Sequence, residues 1–165
     1  MVAHVPVVWL DDGRLGFHLS RGNRLAKHLD GARALFVANG PHAYVSPDWY
    51  GIDDQVPTWN YMAVELEGVV TALPADALPP LIDALSDAGE ARLAPKPAWT
   101  RDKMTDGKFD RMMGATTGSA LAVDQGRGTP KPGPHKPGEA RAAVAKALPA
   151  PGDPAPAPLA WGTRP

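Results

Sequence analysis

The stretch Val2–Leu19, VAHVPVVWLDDGRLGFHL, decides the fold. Its first half is rich in valine, and its second half, from Arg14 onward, resumes an alternation of apolar and other residues. Between the two halves stands Asp12-Gly13, a dipeptide that favours the tight turn of a β-hairpin because glycine accepts a positive φ. The stretch therefore predicts two antiparallel strands joined by a short turn.

The elements after the hairpin mix strands with short helices. Apolar residues at helical spacing predict helices, and apolar runs bounded by turn residues predict strands. The predicted helices are Asn23–Leu29, Ala75–Ala88, Phe109–Met113 and Pro137–Leu148, and the predicted strands are Ala32–Ala38, expected to be buried, and Trp59–Leu73, expected to bend or bulge at Gly68. The fold class that follows is mainly β with added helices (α+β), built on a small antiparallel β-barrel.

Composition separates one domain from a tail. The predicted domain spans residues 1–148 and ends with helices, whereas residues 149–165 are mostly Pro, Ala and Gly. The tail has little apolar surface to offset the entropy of ordering it, and its proline spacing favours polyproline II. We therefore expect residues 149–165 to be disordered.

The charge and cysteine counts exclude several classes of protein. The 165 residues include 17 Lys and Arg against 18 Asp and Glu, so the net charge of −1 gives no overall positive field for a phosphate backbone. The absence of cysteine excludes disulfide scaffolds, thiolate zinc sites and cysteine nucleophiles. No apolar run is long enough to cross a membrane, and no signal peptide opens the chain. We expect a cytoplasmic protein with no membrane partner.

The segment between the second predicted strand and the first predicted helix could bind a phosphate. Ser20, Arg21, Gly22 and Asn23 lie at the start of that helix, and Lys27 lies one turn further on. Free backbone N–H groups, a hydroxyl, a guanidinium and an ammonium would converge there on an anion. The alternative, which the pattern alone favours, is a polar turn in which Ser20 or Asn23 caps the helix.

Two aromatic stretches, Gly40–Tyr50 (GPHAYVSPDWY) and Val56–Tyr61 (VPTWNY), could hold a flat heteroaromatic ligand. Proline makes them stiff, and we expect both to be loops. Their rings offer a stacking face, and their Thr and Asn side chains offer hydrogen bonds to the edge of a ligand. The alternative is that Trp49, Trp59 and Tyr61 close the ends of the barrel.

The sequence contains no motif typical of a metal site or of a catalytic site. The five histidines show no metal-ligand spacing, so we expect each to form an ordinary hydrogen bond or to lie on the surface. The sequence has no nucleophile elbow, Walker loop or dinucleotide-binding glycine pattern. It therefore predicts neither a metal site nor a catalytic residue.

Three motifs, in order, give the sequence a specific resemblance to a known family. They are FHLSRGN (Phe17–Asn23), GPHAYVSPDWY (Gly40–Tyr50) and VPTWNYMAVELEG (Val56–Gly68), with a weaker likeness through Lys96–Met104 and Phe109–Ala115 to about Leu148. On these motifs the sequence resembles the PaiB family, the FMN-binding negative transcriptional regulators of the FMN-binding split-barrel group.

This resemblance implies a split barrel that forms a homodimer and binds FMN near the subunit interface. It also implies two groups of cofactor-binding residues. The group for the ribityl-phosphate end is His18, Ser20, Arg21, Asn23 and Lys27, and the group near the isoalloxazine ring is Tyr44, Ser46, Trp49, Thr58, Trp59 and Asn60. The possible phosphate and aromatic sites inferred from the residues alone lie on the same segments.

The sequence departs from the family pattern near both ends. Family members usually have a helix and a strand before the equivalent of Val2–Pro6, and this sequence does not. At Lys131–Lys136, Pro132 and Pro134 replace residues of a common K-L-x-Q-N-K pattern, and proline removes strand hydrogen bonds. A contact to FMN from this segment is therefore left open.

The leading interpretation is an FMN-binding negative transcriptional regulator rather than an enzyme. No helix-turn-helix is present, so direct DNA binding would need four cations on one face, namely Arg21, Arg24, Lys27 and Arg33. The alternatives are an FMN-dependent oxidoreductase, a haem-handling protein with His42 as the iron ligand, and a degenerate relative that has lost its ligand.

Overall fold

The computed structural model of this chain describes residues 1–131 and 138–147. Within them, the strands are β1 Val7–Trp9, β2 Leu15–Ser20, β3 Arg33–Val45, β4 Thr58–Ala72 and β5 Thr116–Lys131. The α-helices are α1 Leu78–Glu90, α2 Lys108–Gly114 and α3 Gly138–Ala147. Short 3-10 helices occupy Arg24–Lys27, Pro47–Tyr50, Ala75–Ala77, Ala91–Leu93 and Arg101–Lys103.

The strands form one sheet in the order β1-β2-β5-β4-β3, so the last strand in sequence lies at its centre. β1 pairs antiparallel with β2, with Val8 opposite Gly16. β2 pairs antiparallel with β5, with His18 opposite Gly118. The central position of β5 joins the N-terminal hairpin to the two long strands β3 and β4.

The predicted hairpin is confirmed. Its turn places Gly13 at a φ of 80°, a conformation that glycine adopts without strain, and the N–H of Leu10 donates to the carbonyl of Arg14 at 2.8 Å. The first strand is shorter than predicted, because it begins only at Val7. Pro6, which precedes it, has no N–H to donate to a neighbouring strand.

The chain divides into two compact units. The first unit consists of Met1–Ala38 and Val64–Gly128, and the second contains Asn39–Ala63 and the described residues from Thr129 onward.

Each face of the sheet in the first unit has its own apolar cluster. Successive strand residues point to opposite faces, and the main core gathers Leu15, Phe17 and Leu19 of β2 with Val70 and Leu121. The other cluster is formed by α1 through buried leucines, Leu78, Leu81 and Leu85. Gly16 of β2 lies beneath α1, because a Cβ added there would come within 2.9 Å of Leu81.

The second unit has a smaller core where α3 packs. Val45 and Tyr50 are buried against Ala140 and Val144 of α3, and Trp49 is partly buried against the same cluster. The segment Pro47–Tyr50 therefore anchors α3, and the predicted C-terminal helix is confirmed over Gly138–Ala147.

Several sequence predictions were wrong in detail. The expected buried strand is longer and half-exposed, since Leu35 and Val37 of β3 are 56% and 45% exposed at the edge of the sheet. The stretch Gly40–Tyr50 is strand as far as Val45 rather than loop. The predicted strand Trp59–Leu73 is confirmed to within one residue by β4, which begins at Thr58. The helix expected over residues 23–29 is one 3-10 turn, and β5 was not predicted at all.

The remaining helices follow the sequence. α1 and α2 form where apolar spacing predicted them, and α1 buries its apolar face. The predicted tail, residues 149–165, and the departures Pro132 and Pro134 lie outside the described residues. In the part of the chain that the structure describes, no helix has the length and apolar character needed to cross a membrane.

Candidate functional site

The turn after β2 uses its polar side chains to cap its own backbone. The Ser20 Oγ accepts a hydrogen bond from the N–H of Gly22 at 3.2 Å, and the Asn23 Oδ1 accepts one from the N–H of Leu25 at 2.9 Å. The N–H of Arg21 donates to the carbonyl of Ala115 at 2.9 Å. Ala115 directly precedes β5, so this hydrogen bond attaches the turn to the start of β5. The capping alternative considered for Ser20 and Asn23 is therefore realised.

The cations of this turn are left facing solvent. Arg21, Arg24 and Lys27 are exposed, and among residues 1–131 and 138–147 none of them forms an ion pair. We call these three residues the cationic turn. Three cations within seven residues, with no acid to neutralise them, create a local positive potential that attracts an anion.

Arg33 is not part of that positive surface. Its guanidinium binds the Asp124 carboxylate through two hydrogen bonds of 2.8 Å and also lies 3.5 Å from Glu67. Hydrogen bonding to Asp124 raises the pKa of Arg33 and lowers that of Asp124. Arg33 is one of the four cations expected to be needed for direct DNA binding, and its charge is instead balanced by Asp124 and Glu67.

His18 lies away from the apolar residues of the turn. It shares its sheet face with Gly16, beneath α1, by strand alternation. Leu25 and Leu29 instead pack against the cluster on the opposite face, which contains Phe17. Burial lowers the pKa of His18, and its Nδ1 is buried with no hydrogen-bond partner among the described residues.

In the second unit, three aromatic rings come together where β3 ends and β4 begins. The His42 ring stacks on the Trp59 ring with centroids 5.7 Å apart and planes 25° apart. The Tyr44 ring lies 6.5 Å from the Trp59 ring at 57°. Tyr44 and Trp59 are 49% and 50% exposed. We call these three residues the aromatic surface.

Two members of the predicted ring-binding group have structural roles. The Ser46 Oγ accepts a hydrogen bond from the N–H of Asp48 at 3.4 Å and so caps the Pro47–Tyr50 helix. Trp49 packs into the small core against α3. Trp49 therefore packs against a core, whereas Trp59 is half-exposed.

Asn60 carries an unpaired acceptor. Its Oδ1 is buried and has no hydrogen-bond partner in residues 1–131 and 138–147, and the neighbouring Thr58 is half-buried. An unsatisfied buried acceptor costs about 1–3 kcal/mol, so it fits a ligand that brings an N–H donor. The isoalloxazine ring of FMN has such a donor on its pyrimidine edge, together with a flat face and a phosphate at the far end. The residues present therefore fit FMN.

His42 is the residue that sequence reasoning missed. It was expected to form a hydrogen bond or to lie on the surface, with iron ligation as the alternative. It does lie on the surface, and its ring also stacks on Trp59, which was not predicted. The signal was available in the sequence, because His42 and Tyr44 are two residues apart and residues at that spacing share one face of a strand. Reading Gly40–Tyr50 as a loop hid that relation.

A separate cleft of about 630 Å³ lies in the first unit around the Arg101–Lys103 helix and α2. Arg101 lies over the Phe109 ring at 5.0 Å and 3.3 Å from Asp83, so its charge is already engaged. None of the predicted site residues lines this cleft. It is not the predicted cofactor site.

Comparison with known proteins places the chain in a family. Residues 1–125 match the family model described as "Putative FMN-binding domain". A segment of 62 residues is 39% identical to the Protease synthase and sporulation protein PAI 2 of Bacillus subtilis (strain 168), and it covers 37% of this chain and 30% of that protein. This relative is the PaiB protein, so the resemblance read from the three motifs is confirmed.

A solved structure supports the fold. The FAD and Heme binding protein from Mycobacterium smegmatis matches with a TM-score of 0.51 and 24% identity, over 97% of this chain and 85% of that chain. This likeness confirms the predicted fold class, a mainly β split barrel with added helices. FMN as the cofactor of the family agrees with the sequence prediction as well. The chain belongs to the PaiB-like family of FMN-binding domains.

Proposed function

We propose that this chain binds FMN. We make two separate assignments: the aromatic surface stacks on an isoalloxazine ring, and the cationic turn pairs with a phosphate group. The observation that carries the proposal is the half-exposed Trp59 indole, which lies among other rings at the surface instead of filling a core. An exposed aromatic ring in a fixed position is suited to stacking on a flat ligand.

Each group of residues has a distinct task in this proposal. Arg21 and Lys27 form charge-assisted hydrogen bonds to the phosphate, while Ser20 and Asn23 hold the turn in shape through their own backbone contacts. Asn60 directly follows Trp59 in β4, so its side chain points to the opposite face of the strand, and we assign it no contact with a ring stacked on Trp59. Bound FMN would supply redox chemistry that none of the side chains can supply alone.

The first experiment is an absorbance spectrum from about 300 to 600 nm after FMN loading and gel filtration. Flavin peaks that elute with the protein support the proposal, and a colourless protein contradicts it. The same titration with haemin tests the haem alternative, since a Soret band would appear on iron ligation.

Arg21→Ala tests the phosphate assignment. Loss of a charge-assisted hydrogen bond lowers FMN affinity about 10-fold to 100-fold and leaves riboflavin affinity unchanged, because riboflavin has no phosphate. Arg92→Ala is the matched control, since Arg92 is also exposed and lies outside the cationic turn. An Arg21→Ala protein that binds FMN as tightly as the wild type removes Arg21 from the site.

We propose further that the protein is a cytoplasmic homodimer. Leu35, Val37 and Val69 of the first unit are 56%, 45% and 40% exposed, and exposed apolar residues on a sheet mark surfaces that associate. Sedimentation equilibrium tests this proposal. Leu35→Lys shifts a dimer towards monomer, and a wild-type monomer at tens of micromolar contradicts it.

The regulatory role, negative control of transcription, follows from the PaiB-type resemblance. Because Arg33 is paired with Asp124 and Glu67, three of the four cations considered for DNA contact remain, those of the cationic turn. We propose that regulation acts through a protein partner or through flavin-dependent stability. A mobility-shift assay at low salt with excess protein tests the point, since a stable shift would demonstrate direct DNA binding instead.

A further inference from the structure

We propose that His42 is a positioning residue for the flavin ring, because its ring stacks on the Trp59 indole, which remains half-exposed. The proposal rests on the proposed FMN binding. No sequence pattern assigned this role to His42.

The geometry of the aromatic surface supports it. The His42 ring forms an offset stack with the indole, with centroids 5.7 Å apart and planes 25° apart. Tyr44 approaches the same indole at 57°, a tilted arrangement typical of favourable aromatic pairs. Trp59 nevertheless keeps half of its surface exposed. The indole is therefore in contact with two neighbouring rings and still has exposed surface.

The benefit of such an arrangement is preorganisation. A free surface Trp must lose rotamer freedom when a ligand stacks on it, and that loss weakens binding. Where His42 already fixes the ring, the ligand meets an ordered surface. Aromatic pairs contribute about two-fold to ten-fold in equilibrium terms, so this is the range expected for the effect of His42 on flavin affinity.

The imidazole acts here as a flat ring rather than as a base or a metal ligand. Phenylalanine keeps the ring and removes both nitrogens, so His42→Phe separates stacking from nitrogen chemistry. His42→Ala removes both. His28→Ala is the matched control, because His28 is also exposed and belongs to the first unit instead of the second.

The test begins on the protein without ligand. With 5-fluorotryptophan incorporated, the ¹⁹F signal of Trp59 is assigned through Trp59→Phe. We expect His42→Ala to shift and broaden this signal, and His42→Phe and His28→Ala to keep it sharp. A Trp59 signal that stays sharp and unshifted in His42→Ala overturns the proposal, whether or not the protein binds flavin.

Flavin affinity completes the test. We expect His42→Ala to weaken FMN and riboflavin equally, by about two-fold to ten-fold, and His42→Phe to restore both. In a Trp59→Leu background, His42→Ala should have no further effect. A His42→Phe protein as weak as His42→Ala overturns the proposal in favour of a nitrogen-dependent role. A wild type that binds no flavin refutes the proposed function, while the ¹⁹F result still decides whether His42 orders Trp59.

Discussion

Gly68→Ala adds a single methyl group, and we expect it to reduce the free energy of unfolding more than a methyl group added at any other glycine of the first unit. Gly68 lies in β4, where the backbone approaches β5 closely, and a Cβ added at Gly68 would come 1.8 Å from the carbonyl oxygen of Ala122 and 2.7 Å from its carbonyl carbon. The obstacle is backbone rather than a flexible side chain, so no rotamer change can remove the overlap. Either β4 or β5 must move.

The size of the movement sets the size of the effect. Ordinary van der Waals contact begins at 3.4 Å, so the two backbones must separate locally by about 1.6 Å. A displacement of that size takes neighbouring N–H···O contacts beyond hydrogen-bonding range. Overpacking usually costs about 1–3 kcal/mol, and each lost hydrogen bond adds about 1 kcal/mol. We expect the free energy of unfolding to fall by at least about 3 kcal/mol.

Urea denaturation followed by circular dichroism measures this loss, and thermal melting should show a midpoint lower by about 6–12 °C. Gly128→Ala is the matched control on β5, since a Cβ there meets no atom within 4 Å and the change should stay within about 0.5 kcal/mol. A Gly68→Ala protein as stable as Gly128→Ala would refute the reasoning, because it would mean that the strands separate freely at this point.

Three further predictions concern pH, a helix and the second unit. Burial lowers the pKa of His18 below 6.5, so His18 binds a proton more readily in the unfolded chain than in the folded one. The free energy of unfolding should therefore decrease as the pH falls below about 6.5. His18→Gln should remove this pH dependence in urea titrations between pH 7.5 and 5.5. Gly89→Ala, in α1 with no atom within 4 Å of the new methyl, should raise the melting midpoint through about 0.5–1 kcal/mol of helix propensity, and a lower midpoint would contradict the open space there. Val144→Asp buries a charge in the core against Val45, so α3 should detach and become sensitive to proteolysis, whereas the exposed Ala143→Asp should not have this effect.

Local sequence patterns were sufficient to predict those elements whose conformation is determined by their own residues. The hairpin is specified by Asp12-Gly13, because the turn geometry at Gly13 requires a positive φ that few residues adopt. α1 is specified by leucines at helical spacing, and Leu81 and Leu85 are buried as that spacing predicts. Neither element depends on distant residues for its identity.

The central strand β5 could not be predicted in the same way. Its sequence, TTGSALAVDQGRGTPK, contains three glycines and a proline, residues that weaken an isolated strand. Its strand conformation comes from pairing with β2 in residues 116–121 and from its place beside β4. Its small residues also serve the packing, since Gly118 lies within about 3.5 Å of Leu73 and Leu78. Those partners are remote in the sequence, so the local sequence pattern of β5 does not reveal them.

For the predicted phosphate-binding turn, the structure decides the roles of individual atoms that the sequence left open. Sequence placed a phosphate-binding turn at Ser20–Lys27, yet the hydroxyl of Ser20 and the amide of Asn23 each accept a hydrogen bond from the turn itself. What the turn presents outward is therefore charge, from Arg21 and Lys27, on a backbone held in shape by its own caps. Recognition by charge predicts that FMN binding weakens steeply with salt while riboflavin binding does not, because screening acts on the phosphate alone. A parallel salt titration of both ligands decides between this arrangement and one in which Ser20 and Asn23 exchange their internal hydrogen bonds for the phosphate.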